Sequence, residues 1–249
     1  MGSVEEQRGW LAARLKEMEP LLWLFCGDSI TQGTVHTRGC RDFSQLFKER
    51  LCEMGRNRDV VVNTAVSGWS IQALLPHVEE RILRFRPEAV FLLFGTNDAA
   101  RGQEGIAAYE EGYRSVLRQI RGIGAKLVVV QTLPPMVALD AERALAPVRY
   151  DNEAAAAAKK RGLRMRLEFL PAFAEAARRV AAAEGALLID HSEAWETTRQ
   201  TNTVGELLDG GFHPNEYGHR LLAHTIFRAL GLWSEESWTC RLFVPVRTP

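Results

Sequence analysis

Residues Leu21-Leu22-Trp23-Leu24-Phe25-Cys26 run directly into Gly27-Asp28-Ser29-Ile30-Thr31. The six apolar residues are bounded by Pro20 and Gly27, the pattern of a short buried strand. Gly-Asp-Ser after such a strand sets a hydroxyl at its carboxyl end, where open α/β sheets bind ligands. Asp28 and Ser29 are equally the residue types that cap a following helix. The stretch alone supports both readings, and the rest of the chain must decide between them.

Four more runs read as strands: Asp59–Ala65 (DVVVNTA), Ala89–Phe94, Lys126–Leu133 (KLVVVQTL) and Ala186–Asp190 (ALLID). Helical patterns lie between them. Asp42 caps a helix through Met54, and Ser70 to Arg86 is helical until Pro87 ends it. A long helix spans about Ile106 to Ile123, closed by Gly122 and Gly124. The alanine run Ala154–Ala158 favours helix and Gly162 interrupts it. Pro171 opens another helix to Glu184, and Pro214 starts the last one, to Leu230, from its first position. Strands alternating with helices, without repeats or linkers, predict an α/β fold: a three-layer α/β/α domain on a five-stranded parallel sheet.

Residues 21–231 form that domain. Residues 1–20 carry Trp10, Leu11, Leu15 and Met18 at helical spacing and read as a helical extension. Residues 232–249 read as a tail whose Trp238, Leu242, Val244 and Val246 alternate with polar residues and pack on the chain's own surface or, as the alternative, on a neighbouring subunit.

Composition narrows the function classes. At 249 residues there is ample material for one large core. The 31 basic and 31 acidic residues cancel, so nothing points to nucleic acid or an anionic membrane surface, and self-association is left open. No run approaches the ~20 apolar residues of a membrane span, and the N-terminus lacks a signal-peptide core. Cys26, Cys40, Cys52 and Cys240 form no CxxC and no zinc spacing, and Cys26 and Cys52 read as buried free thiols. A cytoplasmic location is the expectation.

The strands of a parallel sheet point one way, so Ser29, Gly68, Asn97 and the segment holding Asp209 and His213 share one rim. A serine hydroxyl needs an adjacent base to become a nucleophile. His213, held in extended backbone by Pro214, suits that task because its pKa lies near neutrality. Acyl transfer also needs donors for the developing oxyanion: the Ser29 and Gly68 backbone N–H groups and the Asn97 side-chain amide. Asn97 donates without bringing negative charge.

Gly27-Asp28-Ser29-Ile30, Asn63-Thr64-Ala65-Val66-Ser67-Gly68, Gly95-Thr96-Asn97-Asp98 and Asp209 to Asn215 (DGGFHPN) stand in this order along the chain. Together they resemble the four blocks of the SGNH hydrolases, also called the GDSL esterase/lipase family, over about residues 21–231. The resemblance implies a flavodoxin-like sheet and Ser-His-Asp hydrolysis of an ester without metal or organic cofactor. The GxSxG elbow of α/β-hydrolases is absent.

One position departs from the family pattern. The family's acid lies three residues before its histidine, where this chain has Gly210. Asp209, four residues before, is assigned as the orienting acid, because the Gly210-Gly211 pair can absorb one extra residue. Glu206, Asp190, or a dyad relying on a backbone carbonyl are the fallbacks.

Other residues carry paired readings. Trp69 is either an aromatic wall for the substrate or core. Asp98 caps the next helix. His36, Arg38 and Arg41 either line the entrance or lie in a solvated loop. His219 and His224, five apart on one helix, are packing or surface residues rather than metal ligands, and His77 and His191 stand alone.

Relatives of this kind act on short-chain esters, acetylated sugars, lysophospholipids and thioesters. With no apolar lid between motifs, small acyl groups on carbohydrate are the expected substrates. A lysophospholipase or thioesterase is the alternative, and a catalytically silent carbohydrate-binding module is the reading from another class.

Overall fold

Alternate residues of β1 (Leu22–Gly27) point to opposite faces of the sheet, and the two sets enter two different cores. Trp23 and Phe25 pack with Phe43, Phe47, Leu222 and Phe227, whereas Leu24 and Cys26 pack with Ile71, Tyr113, Val116 and Val180. β3 (Ala89–Leu93) and β4 (Leu127–Gln131) divide the same way. Phe91 and Val129 face the first cluster, Val90 and Val128 the second. Two cores on either side of one sheet make three layers. The structure, a computed structural model, describes residues 2–137, 153–196, 200 and 204–245.

With β2 (Val60–Asn63) and β5 (Leu187–Ile189), the strands form a parallel sheet in the order β2-β1-β3-β4-β5. The chain leaves β1 towards one edge and returns to β3 on the other side. That reversal opens a crevice beyond the carboxyl ends of β1 and β3.

On the first face lie α1 (Val4–Arg14), α3 (Phe43–Glu53) and α9 (Glu216–Ala229), each contributing residues to the first core. α2 (Ser29–Gln32) is a single turn between β1 and α3. The second face carries α4 (Ile71–Leu74), α5 (Val78–Arg81), α6 (Gly105–Gly122) and α7 (Glu153–Glu184), and α8 (His191–Ala194) follows β5. No helix among the described residues is long and apolar enough to cross a membrane.

Several local readings are corrected. Ser70–Arg86 is not one helix but α4, a 3-10 turn from Leu75 to His77 containing Pro76, α5, and a second 3-10 turn from Leu83 to Phe85. Pro76 cannot donate and Ile82 leaves helical geometry at φ −131°, so the run breaks at both. Pro171 does not open a helix: α7 runs unbroken through Gly162 and Pro171, held by the burial of Leu163, Leu170, Phe173 and Ala177. The last helix starts at Glu216, because the Asn215 side chain accepts the Tyr217 and Gly218 N–H groups, and Pro214 belongs to a strand before it. Residues 138–152 and Val246 of the tail lie outside the described residues.

Both ends of the chain are tied to the sheet. The Val128 N–H, one rung before β5 begins pairing with β4, donates to Gln7 Oε1 at 3.1 Å, and Gln7 Nε2 donates to the Gly185 carbonyl at 2.7 Å. Gln7 is thus a buried polar residue with both ends of its amide occupied. After α9, Leu232 and Cys240 are buried in the first core, Thr239 N–H donates to Glu53, and Leu242 and Val244 pack alongside.

Candidate active site

The Ser29 Oγ and the His213 Nε2 lie 2.9 Å apart, although 184 residues separate them. Each is delivered by a short element. Asp28, the last residue before α2, turns its carboxylate onto the Ile30 N–H at 2.9 Å, so Asp28 does act as a helix cap. Ser29 is then the first residue of α2, whose N–H has no acceptor within the helix and is left for a ligand. The cap reading of Gly27-Asp28-Ser29 is thus met by Asp28, and it leaves the Ser29 hydroxyl unused as a cap.

His213 comes from a two-stranded hairpin, β6 (Leu208–Asp209) and β7 (His213–Pro214), in which Asp209 is directly opposite His213. The connecting Gly210 and Gly211 both have positive φ, 59° and 84°, which glycine adopts without penalty. Opposed residues of an antiparallel pair project from the same face, with Cβ atoms about 5 Å apart. The hairpin thus sets Asp209 opposite His213 across the extra residue, although no hydrogen bond joins the two side chains among the described residues.

The Asp209 carboxylate accepts from His36 Nδ1 at 2.9 Å and from the Arg38 guanidinium at 3.2 Å. Among the described residues the carboxylate makes no other hydrogen bond. Burial raises its pKa, but the His36 and Arg38 bonds outweigh that and hold it below the usual carboxylate value. The His36 ring stacks on the His213 ring, centroids 3.5 Å apart and planes within 6°. Burial, with His36 acting in the same sense and Asp209 against it, brings the His213 pKa down to about 3. The ring is neutral at pH 7 and free to accept a proton.

Gly68 sits in a turn closed by the Trp69 N–H on the Val66 carbonyl at 3.2 Å. Its φ of 81° is what the third residue of a type II turn demands. No atom lies within 4 Å of where a Cβ would stand, so φ rather than crowding selects glycine.

Asn97 follows β3. Its Nδ2 donates to the Trp69 carbonyl at 2.9 Å and lies 3.5 Å from Asp28 Oδ2, while its Oδ1 accepts from Arg166 at 3.1 Å. Burial, with Asp98 nearby, raises the Asp28 pKa to about 7. Asp98 turns away from the next helix: its carboxylate accepts the Ile71 N–H at the start of α4 at 3.1 Å, beside that helix's own N-cap, Ser70.

The remaining candidates fall outside this cluster. Asp190 is committed to Arg178 and Thr132. Glu206 is exposed, and its carbonyl accepts from Asn215 Nδ2 at 2.7 Å. The Trp69 ring packs on the second core, with His77 beside it and the Arg81 guanidinium over it. His219 is buried, its Nδ1 accepting the Phe43 N–H, and His224 is half-buried against Thr239. Cys26 and Cys240 are buried free thiols, Cys52 is half-buried and Cys40 exposed. The sequence reading missed Arg166 altogether and left His36 as one of two alternatives.

The chain matches the GDSL-like Lipase/Acylhydrolase family over residues 25–221, most of its length. An uncharacterized protein of Mycoplasma pneumoniae is 33% identical over 131 residues, 48% of this chain but only 15% of that protein, so the chain spans a small part of that relative. Among solved structures, Axe2, an acetylxylan esterase from Geobacillus stearothermophilus, superposes with a TM-score of 0.66 at 20% identity, covering 88% of this chain and 99% of its own. LAE5, an alpha/beta hydrolase enzyme from the metagenome of Lake Arreo, gives 0.65 at 21% identity, covering 88% of this chain and all of its own. At such identities the structures speak to the fold, and the family match speaks to the chemistry. The chain belongs to the GDSL-like lipase/acylhydrolase family.

Proposed function

We propose that this chain hydrolyses short-chain acyl esters, acetyl esters of carbohydrate first among them, through an acyl-enzyme on Ser29. The 2.9 Å contact between Ser29 Oγ and a neutral His213 carries the reading. Ser29 Oγ attacks the ester carbonyl carbon as its proton passes to His213 Nε2. The oxyanion is met by the Ser29 and Gly68 N–H groups and the Asn97 amide. The carbon–oxygen bond to the alcohol breaks, and the alcohol leaves with the proton from His213. Water then repeats the sequence and frees the acid. Asp209 is the acid of the triad, its charge favouring the imidazolium that forms in each half-reaction.

The substrate class rests on separate support. Axe2 is an acetylxylan esterase. Trp69 is the proposed substrate-side aromatic.

Turnover of p-nitrophenyl esters of increasing chain length tests the reading. Acetate is expected to be the best substrate, and an optimum at long chains would instead support the lysophospholipase or thioesterase alternative. Ser29→Ala and His213→Ala are each expected to lower kcat by about 10⁴-fold or more while the fold persists. A folded wild-type protein that neither turns over esters nor is labelled at Ser29 by a serine-directed phosphonate would support the silent binding module.

A further inference from the structure

Arg166 lies near the middle of α7, where the helix packs against the loop after β3. Its Nε donates to the Thr96 carbonyl at 3.0 Å and its Nη2 to Asn97 Oδ1 at 3.1 Å. Among the described residues no carboxylate lies within ion-pair distance of it. A half-buried guanidinium, whose pKa burial lowers, is thus spent on two neutral oxygens of the active-site loop.

We infer that Arg166 is a positioning residue for the oxyanion hole, fixing and polarising the Asn97 amide. A side-chain amide can turn over and exchange its oxygen for its nitrogen. Here both ends are specified: arginine only donates, so Asn97 must face it with oxygen, and the Trp69 carbonyl only accepts, so it must be faced with nitrogen. One Nδ2 hydrogen goes to Trp69 and the other makes a long contact with Asp28 Oδ2 at 3.5 Å, which a substrate oxygen would replace. A cation on Oδ1 also draws electron density from the amide, which makes Nδ2–H a stronger donor. The positive charge behind Asn97 offsets the buried Asp28 carboxyl, 3.5 Å from the same Nδ2.

This inference rests on the serine-esterase reading above, and the experiment separates the two. On p-nitrophenyl acetate, Arg166→Met is expected to lower kcat about 10- to 100-fold with KM nearly unchanged, part of the cost of removing an oxyanion donor. Arg166→Lys keeps the charge but cannot reach both oxygens, and is expected to recover only part of the loss. The deciding measurement is a double-mutant cycle with Asn97→Ala. In that background the Arg166 substitution is expected to change kcat less than about threefold, since it acts through a group no longer present.

Fold-losses that multiply, or an Arg166→Met enzyme with wild-type kcat, overturn the inference. If Arg166→Met does not fold, as judged by circular dichroism, the same cycle run with Arg166→Lys decides. Ser29→Ala is the separate control: if it retains full activity, it is the serine reading that fails.

Discussion

The His213 ring has a second imidazole, that of His36, laid flat against it. The stacked His36 and the buried surroundings disfavour the imidazolium, and Asp209 opposes them. In the proposed mechanism the free enzyme needs His213 neutral, so the acid limb of kcat/KM is expected to follow its pKa and lie well below the ordinary histidine value. Asp209→Asn removes a contribution that raises this pKa, and is expected to move the limb further down while lowering kcat. His36→Phe keeps a flat ring on His213 but removes a like-charge neighbour, and is expected to move the limb up. Opposite or absent shifts in a pH–rate series would show that neither side chain senses His213. His36 is itself flanked by strain, with Val35 at φ 74° and Arg38 at φ 52°. Such non-glycine residues cost about 1–3 kcal/mol each unless their surroundings hold them, and the bonds from His36 and Arg38 to Asp209 do so here.

Elements made by local pattern were legible in advance; those made by distant contact were not. The Asp42 cap of α3 could be read because cap and helix are adjacent in sequence, and its carboxylate does accept the Ser44 and Gln45 N–H groups. The five strands could be read because each is a compact apolar run. α7 misled because Pro171 and Gly162 are local breakers, whereas the packing that carries the helix through them comes from β4, β5 and α6. The same limit hid Arg166, 69 residues from Asn97 and without any periodic signal. It also hid the stack of His36 on His213, which joins a loop to a hairpin at the far end of the chain. Pro171 cannot donate to the Leu167 carbonyl, yet it sits on the exposed side of α7. Pro171→Ala is expected to stabilise the protein by about 1–2 kcal/mol, a Tm rise of roughly 2–4 °C per kcal/mol in scanning calorimetry. A fall in Tm would mean that the bend, not the missing bond, is what the packing requires.

Across the whole molecule, folding changes how many protons the chain holds. Burial brings His191, His213 and His219 down to about 3 and His224 to about 4, from an ordinary 6.5. Below pH 6.5 the unfolded chain takes up protons on these rings that the folded chain refuses, so stability falls as pH drops. Asp28 and Asp98 act the other way: burial raises them to about 7 and about 6, so the folded chain keeps protons there that the unfolded chain has released. Four rings outweigh two carboxyls between about pH 4 and about pH 6. Tm is therefore expected to drop on acidification through that range, and a flat or rising Tm would contradict the burial of these imidazoles.

The amide of Gln7 has a consequence for exchange with heavy water. Val129 and Val130 are paired on both sides within the sheet, so their backbone hydrogens are released only when strands part. The hydrogen of Val128 is held by Gln7, and undocking of α1 alone frees it. That one site therefore clocks how often the N-terminal helix lifts away while the sheet stays whole. Gln7→Ala is expected to hasten deuterium uptake at Val128 and leave Val129 and Val130 at the pace of global opening, and equal acceleration at all three would mean that helix and sheet open as one unit.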